Sequence, residues 1–300
     1  MIYTREKIVL AMNYKFGGFK NKTFLQKHMF LFINENKSDL SDIVSLYDFI
    51  PYYYGCYSFQ LESDKARLVK KNLIPEEINK ETTNDIKLVV DELPIKIIKL
   101  IDDYYLKYKD ISLDNIIKKI YQNYNYYTIN SEIKDKYLSQ EQVDEISECY
   151  QFNNDKTIFT LGYEGLSIDT YINKLIQNNI KALIDVRFNP YSRKYGFSKT
   201  FLLDKLTNLK IKYFHIPELG IRGEKRLELD MKDISSYDNL FHTYEQELHE
   251  KRDYICEILL KLKQYNRVAL TCFEKDVCYC HRGKIIDYIK QSGDYKVKHI

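Results

Sequence analysis

The side chains able to do chemistry collect at four places in the second half of this 300-residue chain, each directly after a short apolar run. Gly162-Tyr163-Glu164-Gly165 follows residues 157–161, and Asp185-Val186-Arg187 follows 182–184 and opens a loop that runs on to Arg193. Arg222 lies in the stretch from Pro217 to Gly223, after 211–215. Cys272-Phe273-Glu274 follows 268–271, and Cys278-Tyr279-Cys280-His281-Arg282 then opens a helical pattern. Short β-prone runs alternating with helical stretches predict a parallel sheet. In such sheets ligands bind outside the carboxyl ends of the strands. Four polar loops there describe one pocket.

The residue types suggest what that pocket takes. Arg187, Arg193, Arg222 and Arg282 together suit an anion with several oxygens, a phosphate or a carboxylate. Asp185 and Arg187 are two apart at a strand end and so leave on the same face. They form either a salt bridge at the sheet edge or a site pair. Glu164, on a glycine-flanked turn, and Asp185 and His281 are the candidate proton-handling groups. Cys272 and Cys280 are the candidate thiols, and a helix N-terminus at His281 would favour Cys280 as the thiolate. A zinc site, a nucleophilic thiol and simple packing all remain open for this loop. Adjacent residues at a helix start point different ways, and Cys-x-Cys-His lacks a second spaced ligand pair. The expectation is therefore that Cys280 and His281 position Arg282, and that no metal or other cofactor is bound.

These loops need a scaffold. Residues 157–300 read as an α/β domain with five short strands: a Rossmann-like, doubly wound parallel sheet. Ser167 and Ser198 are placed to cap helices after the first and second strands, and Asn239 can start a long helix running to about 264. Residues 1–150 read as mainly helical, with Pro94 interrupting one helical stretch and a short strand expected at 72–74. Helix, aromatic turn, helix and strand is the order of a winged-helix-like module. Tyr54-Gly55-Cys56-Tyr57-Ser58 resembles a segment of small bacterial helix-turn-helix proteins, with Cys56 where proline is usual. The polar stretch 151–156 marks the boundary between the two.

Composition narrows the class. With 44% apolar and 30% charged residues and no long uncharged apolar run, the chain reads as a soluble protein rather than a membrane one. Met1-Ile2-Tyr3-Thr4-Arg5-Glu6 does not lead into a signal-peptide core, so a cytoplasmic location is the default. Six cysteines in that setting read as thiols or ligands rather than disulfides. Residues 1–150 carry 21 basic and 23 acidic side chains, a balance of −2, against 25 and 20, or +5, for 151–300. That is too weak for tight nonspecific DNA binding by charge alone, though compatible with a local anion pocket.

The loops, taken together over about 157–293, resemble the bacterial and archaeal domain-of-unknown-function family 488. The resemblance rests on Thr160-Leu161-Gly162-Tyr163-Glu164-Gly165, the segment from Asp185 to Arg193, Phe197-Ser198, Pro217-Glu218-Leu219-Gly220, and Cys272-Phe273-Glu274 with Cys280-His281-Arg282. It implies the α/β fold and the location of the site, and leaves the reaction open. The residues themselves point to an enzyme or ligand-binding protein for a phosphate-bearing substrate, a nucleotide or nucleic acid, with hydrolysis as the reaction class. The alternative is a non-catalytic ligand sensor or DNA-binding regulator. A homodimer is the expected form of any self-association.

Overall fold

In the computed structural model, residues 2–19, 21–74, 86–150, 153–223 and 234–300 are described. The chain divides into two compact units, Met1–Gln151 and Phe152–Ile300.

The first unit is helix-rich. Helices Thr4–Lys15, Lys22–Glu35, Lys37–Leu40, Phe59–Lys70, 86–90, Ile95–Tyr108, Leu113–Asn123 and Gln140–Cys149 surround one apolar core. Their starts follow from local chemistry, since Asn21, Ser58, Ser112 and Ser139 each accept a backbone N–H of the first turn. Pro94 stands at the N-cap of Ile95–Tyr108, where its missing N–H costs nothing.

Two expectations need correction here. Residues 71–74 form a turn, because Asn72 sits at φ 58° and Leu73 N–H donates to Leu68 O at 3.0 Å, closing the preceding helix. The strands lie earlier, in the aromatic segment: β1 (Ile50–Tyr52) and β2 (Gly55–Tyr57) form an antiparallel hairpin. Gly55, at φ +85°, makes that turn possible, and a Cβ on it would lie 2.6 Å from the Tyr121 ring. The likeness to a winged helix goes no further than a helical unit with a small hairpin.

The second unit carries the sheet. Strands β3 (Thr157–Gly162), β4 (Ala182–Asp185), β5 (Lys212–His215), β6 (Arg267–Cys272) and β7 (Val297–His299) pair in the order β5-β4-β6-β3-β7. Every pairing is parallel. The three central strands are buried along their length, as a sheet covered on both faces requires. Ile158, Ala182, Ile184, Val268 and Leu270 share a core with helices Ile234–Glu250, Arg252–Tyr265 and His281–Gln291. The alternate residues face the other side, where Tyr171 of helix Ile168–Gln177 donates its hydroxyl to Thr271 Oγ1 at 2.7 Å.

The connections explain where a ligand can sit. From β3 the chain crosses over β6 to β4, while from β6 it crosses back over β3 to β7. Neighbouring strands whose connections leave in opposite directions open a crevice at their carboxyl ends. Two helix details differ from expectation. Ser167 accepts Thr170 N–H at 3.0 Å, but Ser198, at the N-cap of Lys199–Asn208, makes no such capping bond. The long helix expected from Asn239 is two helices, because Lys251 leaves helical geometry at φ −95°, ψ 19°.

Candidate functional site

Parallel pairing brings the ends of β3, β4, β5 and β6 to one edge of the sheet, and the loops beyond them are tied together by hydrogen bonds. Glu164 N–H donates to Phe273 O at 2.8 Å, and Glu164 Oε2 accepts Lys275 N–H at 3.0 Å, so the β3 and β6 loops continue the pairing of their strands. Ile216 N–H reaches back to Asp185 O at 3.0 Å, and His215 Nε2 lies 2.9 Å from Arg187 O.

At the centre is Asp185, fully buried at the end of β4. Its Oδ1 accepts Arg187 N–H at 3.0 Å and Nε–H at 2.8 Å; its Oδ2 accepts Arg187 Nη2 at 2.5 Å and the Tyr213 hydroxyl at 2.6 Å. Arg187 spends Nη1 on the Tyr163 hydroxyl at 3.0 Å and Phe197 O at 2.9 Å. Burial alone would lower the Arg187 pKa, but the hydrogen bonds and charge of Asp185 outweigh it and raise it. Burial and Asp185 likewise raise the Tyr213 hydroxyl. Tyr163 lies flat on Phe197, ring centres 4.3 Å apart and planes 11° from parallel. Of the two readings of Asp185 and Arg187, the geometry is that of a buried ion pair. Tyr213 completes it, and nothing local in the sequence marks Tyr213 except its place in β5.

The remaining arginines differ from Arg187. Arg193 and Arg222 are exposed on the loops after β4 and β5. The Arg222 guanidinium rests 5.1 Å from the centre of the Phe188 ring. It lines a cleft of about 670 Å³ with Phe188, Glu218, Tyr244, Glu247 and Lys251. Arg282, on the first turn of helix His281–Gln291, is 1% exposed. Its Nη2 donates to Glu274 O at 2.8 Å, while Nε and Nη1 are buried without a hydrogen-bond partner. Gly162 makes room for it: a Cβ there would lie 1.7 Å from Glu274 O and 2.9 Å from Arg282 Nη1. Lys194, which the sequence did not single out, donates Nζ to Tyr163 O at 3.0 Å, and burial lowers its pKa against the pull of Glu164.

The thiol loop departs most from expectation. Cys280 is the N-cap of helix His281–Gln291 and His281 its first residue, yet Cys280 Sγ and His281 Nδ1 are 3.9 Å apart rather than diverging. Cys272 Sγ at the end of β6 lies 3.8 Å from the same Nδ1, and Cys280 Sγ donates to Glu274 Oε2 at 3.1 Å. His281 Nε2 is 2.9 Å from Val186 O. Since that carbonyl can only accept, Nε2 carries a proton. The neighbouring Cys280 and His281 hold the Cys272 thiol well below its ordinary pKa, whereas burial pushes the Cys280 thiol up. Cys272 and Glu274 come from ahead of the loop and Cys280 and His281 from behind it, and the four converge.

Among the described residues no helix is long and apolar enough to cross a membrane. Residues 167–289 match the family described as Domain of unknown function DUF488, which bears out the family read from the loop motifs and lies inside the second unit. No curated protein and no solved structure matches the chain.

Proposed function

Taking residues 167–289 as a DUF488 domain, we propose that the second unit binds a phosphate-bearing ligand, a nucleotide or nucleic acid, at the carboxyl edge of its sheet. One observation carries this reading: Arg193, Arg222 and Arg282 have no carboxylate partner among the described residues, whereas Arg5, Arg67 and Arg187 each hold one. Guanidinium groups left unpaired at the ligand-binding edge of an α/β sheet suit the several oxygens of a phosphate. Arg193 and Arg222 would touch the anion from the loops. Arg282, buried under the Gly162 turn, would offer its two unpartnered nitrogens, Nε and Nη1, to the anion.

If the bound ligand is hydrolysed, Glu164 is the exposed carboxylate at hand for proton transfer. Asp185 favours the second reading, a sensor that binds without turnover, because both its oxygens are taken by Arg187 and Tyr213. The test is to incubate the protein with nucleotides, single-stranded and duplex nucleic acid, and glycosides, and to titrate the same ligands calorimetrically. Turnover supports the hydrolase, and saturable binding without turnover supports the sensor. Absence of both, or equal binding by the Arg193→Ala/Arg222→Ala variant, sinks the phosphate reading.

A further inference from the structure

Cys272 Sγ, a Glu274 carboxylate oxygen, Cys280 Sγ and His281 Nδ1 all lie within 4.8 Å of one another. We propose that these four residues form a tetrahedral site for a zinc-class divalent ion, held by two thiolates, one imidazole and one carboxylate. None of the four ligands is an arginine of the phosphate reading.

Distances support it first. A tetrahedral zinc with Zn–S of about 2.3 Å and Zn–N of about 2.0–2.1 Å has S···N edges of roughly 3.5 Å. The two S···N separations here are 3.8 and 3.9 Å, and the S···O separation is 3.1 Å. These three separations lie within a few tenths of an ångström of such edges, and no two of the four donors are more than 4.8 Å apart. Second, His281 is oriented as a metal ligand is. Its protonated Nε2 is anchored on Val186 O, so in the neutral ring the Nδ1 lone pair faces the sulfurs. Third, the donor set is selective. Two soft sulfurs with one imidazole favour zinc over magnesium or calcium, which take oxygen ligands.

Packing cysteines would not explain the carboxylate. Cys272, Cys280 and His281 are each 1–2% exposed, and Glu274 is drawn in beside them from the loop. Two thiolates and a carboxylate around a divalent ion leave a net charge of −1. The Arg282 guanidinium, whose Nη2 is bonded to Glu274 O, sits at hand to offset it. Ligation would tie the end of β6 to the first turn of helix His281–Gln291 across the eight-residue span 273–280. Each ligating thiol gives up its proton to solvent.

The test uses the full-length protein, reduced and stripped of metal, titrated with Co²⁺. The expected result is a near-ultraviolet sulfur-to-cobalt band with visible bands of tetrahedral geometry, saturating at one ion per chain and displaced by Zn²⁺. Cys272→Ser and Cys280→Ser should lose much of the near-ultraviolet band, while Cys278→Ser, which removes an exposed thiol outside the cluster, should keep it. Should the serine variants fail to fold, Glu274→Gln retains both sulfurs and should bind Co²⁺ more weakly with shifted visible bands. No near-ultraviolet band in the wild type overturns the proposal. So does a wild-type spectrum in folded Cys272→Ser, or a Cys272–Cys280 disulfide in freshly purified protein that blocks metal uptake.

Discussion

Arg187 folds back onto Asp185, two residues before it, with Nε 2.8 Å from Oδ1 and Nη2 2.5 Å from Oδ2, and both side chains are buried. The pair ties three strand ends together, because Tyr213 from β5 donates to the aspartate and Tyr163 beyond β3 accepts from the arginine. A buried ion pair is a weak source of net stability, yet losing one partner is costly.

Asp185→Asn should therefore destabilise the second unit by about 3–5 kcal/mol, since it leaves the Arg187 charge buried without its counter-ion. Urea unfolding monitored by hydrogen exchange of β4 measures this. The Asp185→Asn/Arg187→Met double variant should regain part of the loss, and a double variant less stable than the single one would contradict the ion-pair account.

Arg282→Ala should weaken binding of a phosphate-bearing ligand by roughly 1.5–3 kcal/mol, the range for hydrogen bonds to charged groups. Arg193→Ala and Arg222→Ala, at exposed positions, should fall at or below the lower end of it. Calorimetric titration with inorganic phosphate and a nucleoside triphosphate reads all three, and unchanged affinity throughout would remove the arginines from the site.

Gly162→Ala and Gly165→Ala separate two roles of glycine in one turn. A Cβ at Gly162 would meet Glu274 O at 1.7 Å, so the β6 loop must move, at an overpacking cost of about 1–3 kcal/mol or more. Gly165 has open space around it but sits at φ +75°, so alanine there should cost roughly 1 kcal/mol in backbone strain. Chemical denaturation of both variants checks the order, and equal losses would mean that the Gly162 contact yields easily.

His28 gives the first unit an acid limit. It is fully buried beside Tyr104, with its pKa lowered by burial to about 4 from 6.5. Between those values the unfolded chain binds more protons than the folded one, so stability rises with pH across that window. The contribution is complete above pH 6.5 and is lost as pH falls towards 4, on the order of 3 kcal/mol at 1.36 kcal/mol per pH unit. Hydrogen exchange of helix Lys22–Glu35 at pH 7 and pH 5 should show it, and His28→Phe should flatten the difference.

What the sequence by itself determined is local. The apolar runs near β3, β4, β5 and β6 had the right length and β-prone content, and the strand–helix alternation left a parallel sheet as the solution. Parallel order then places the four polar loops on one edge. Ser167 starts its helix as read, because an N-cap bond spans only three residues. That 72–74 turn rather than form a strand, and that the helix breaks at Lys251, was not legible, since each depends on how a helix end meets its surroundings.

The pairing of charges and donors was decided only by the tertiary structure. Tyr213 and Asp185 are 28 residues apart in sequence, and Val186 and His281 are 95 apart. Residue type could place Arg187 and Arg282 on the same sheet edge. It could not say that one would be neutralised by Asp185 while the other kept two buried nitrogens without partners. Nor could adjacency show that Cys280 and His281 converge. Their side chains meet because the chain leaves β6 and returns to it within one loop, bringing Cys272 and Glu274 to face them. Direction along a strand or helix is a local property of the backbone, whereas the partner a side chain finds depends on which distant segment the packed fold sets against it.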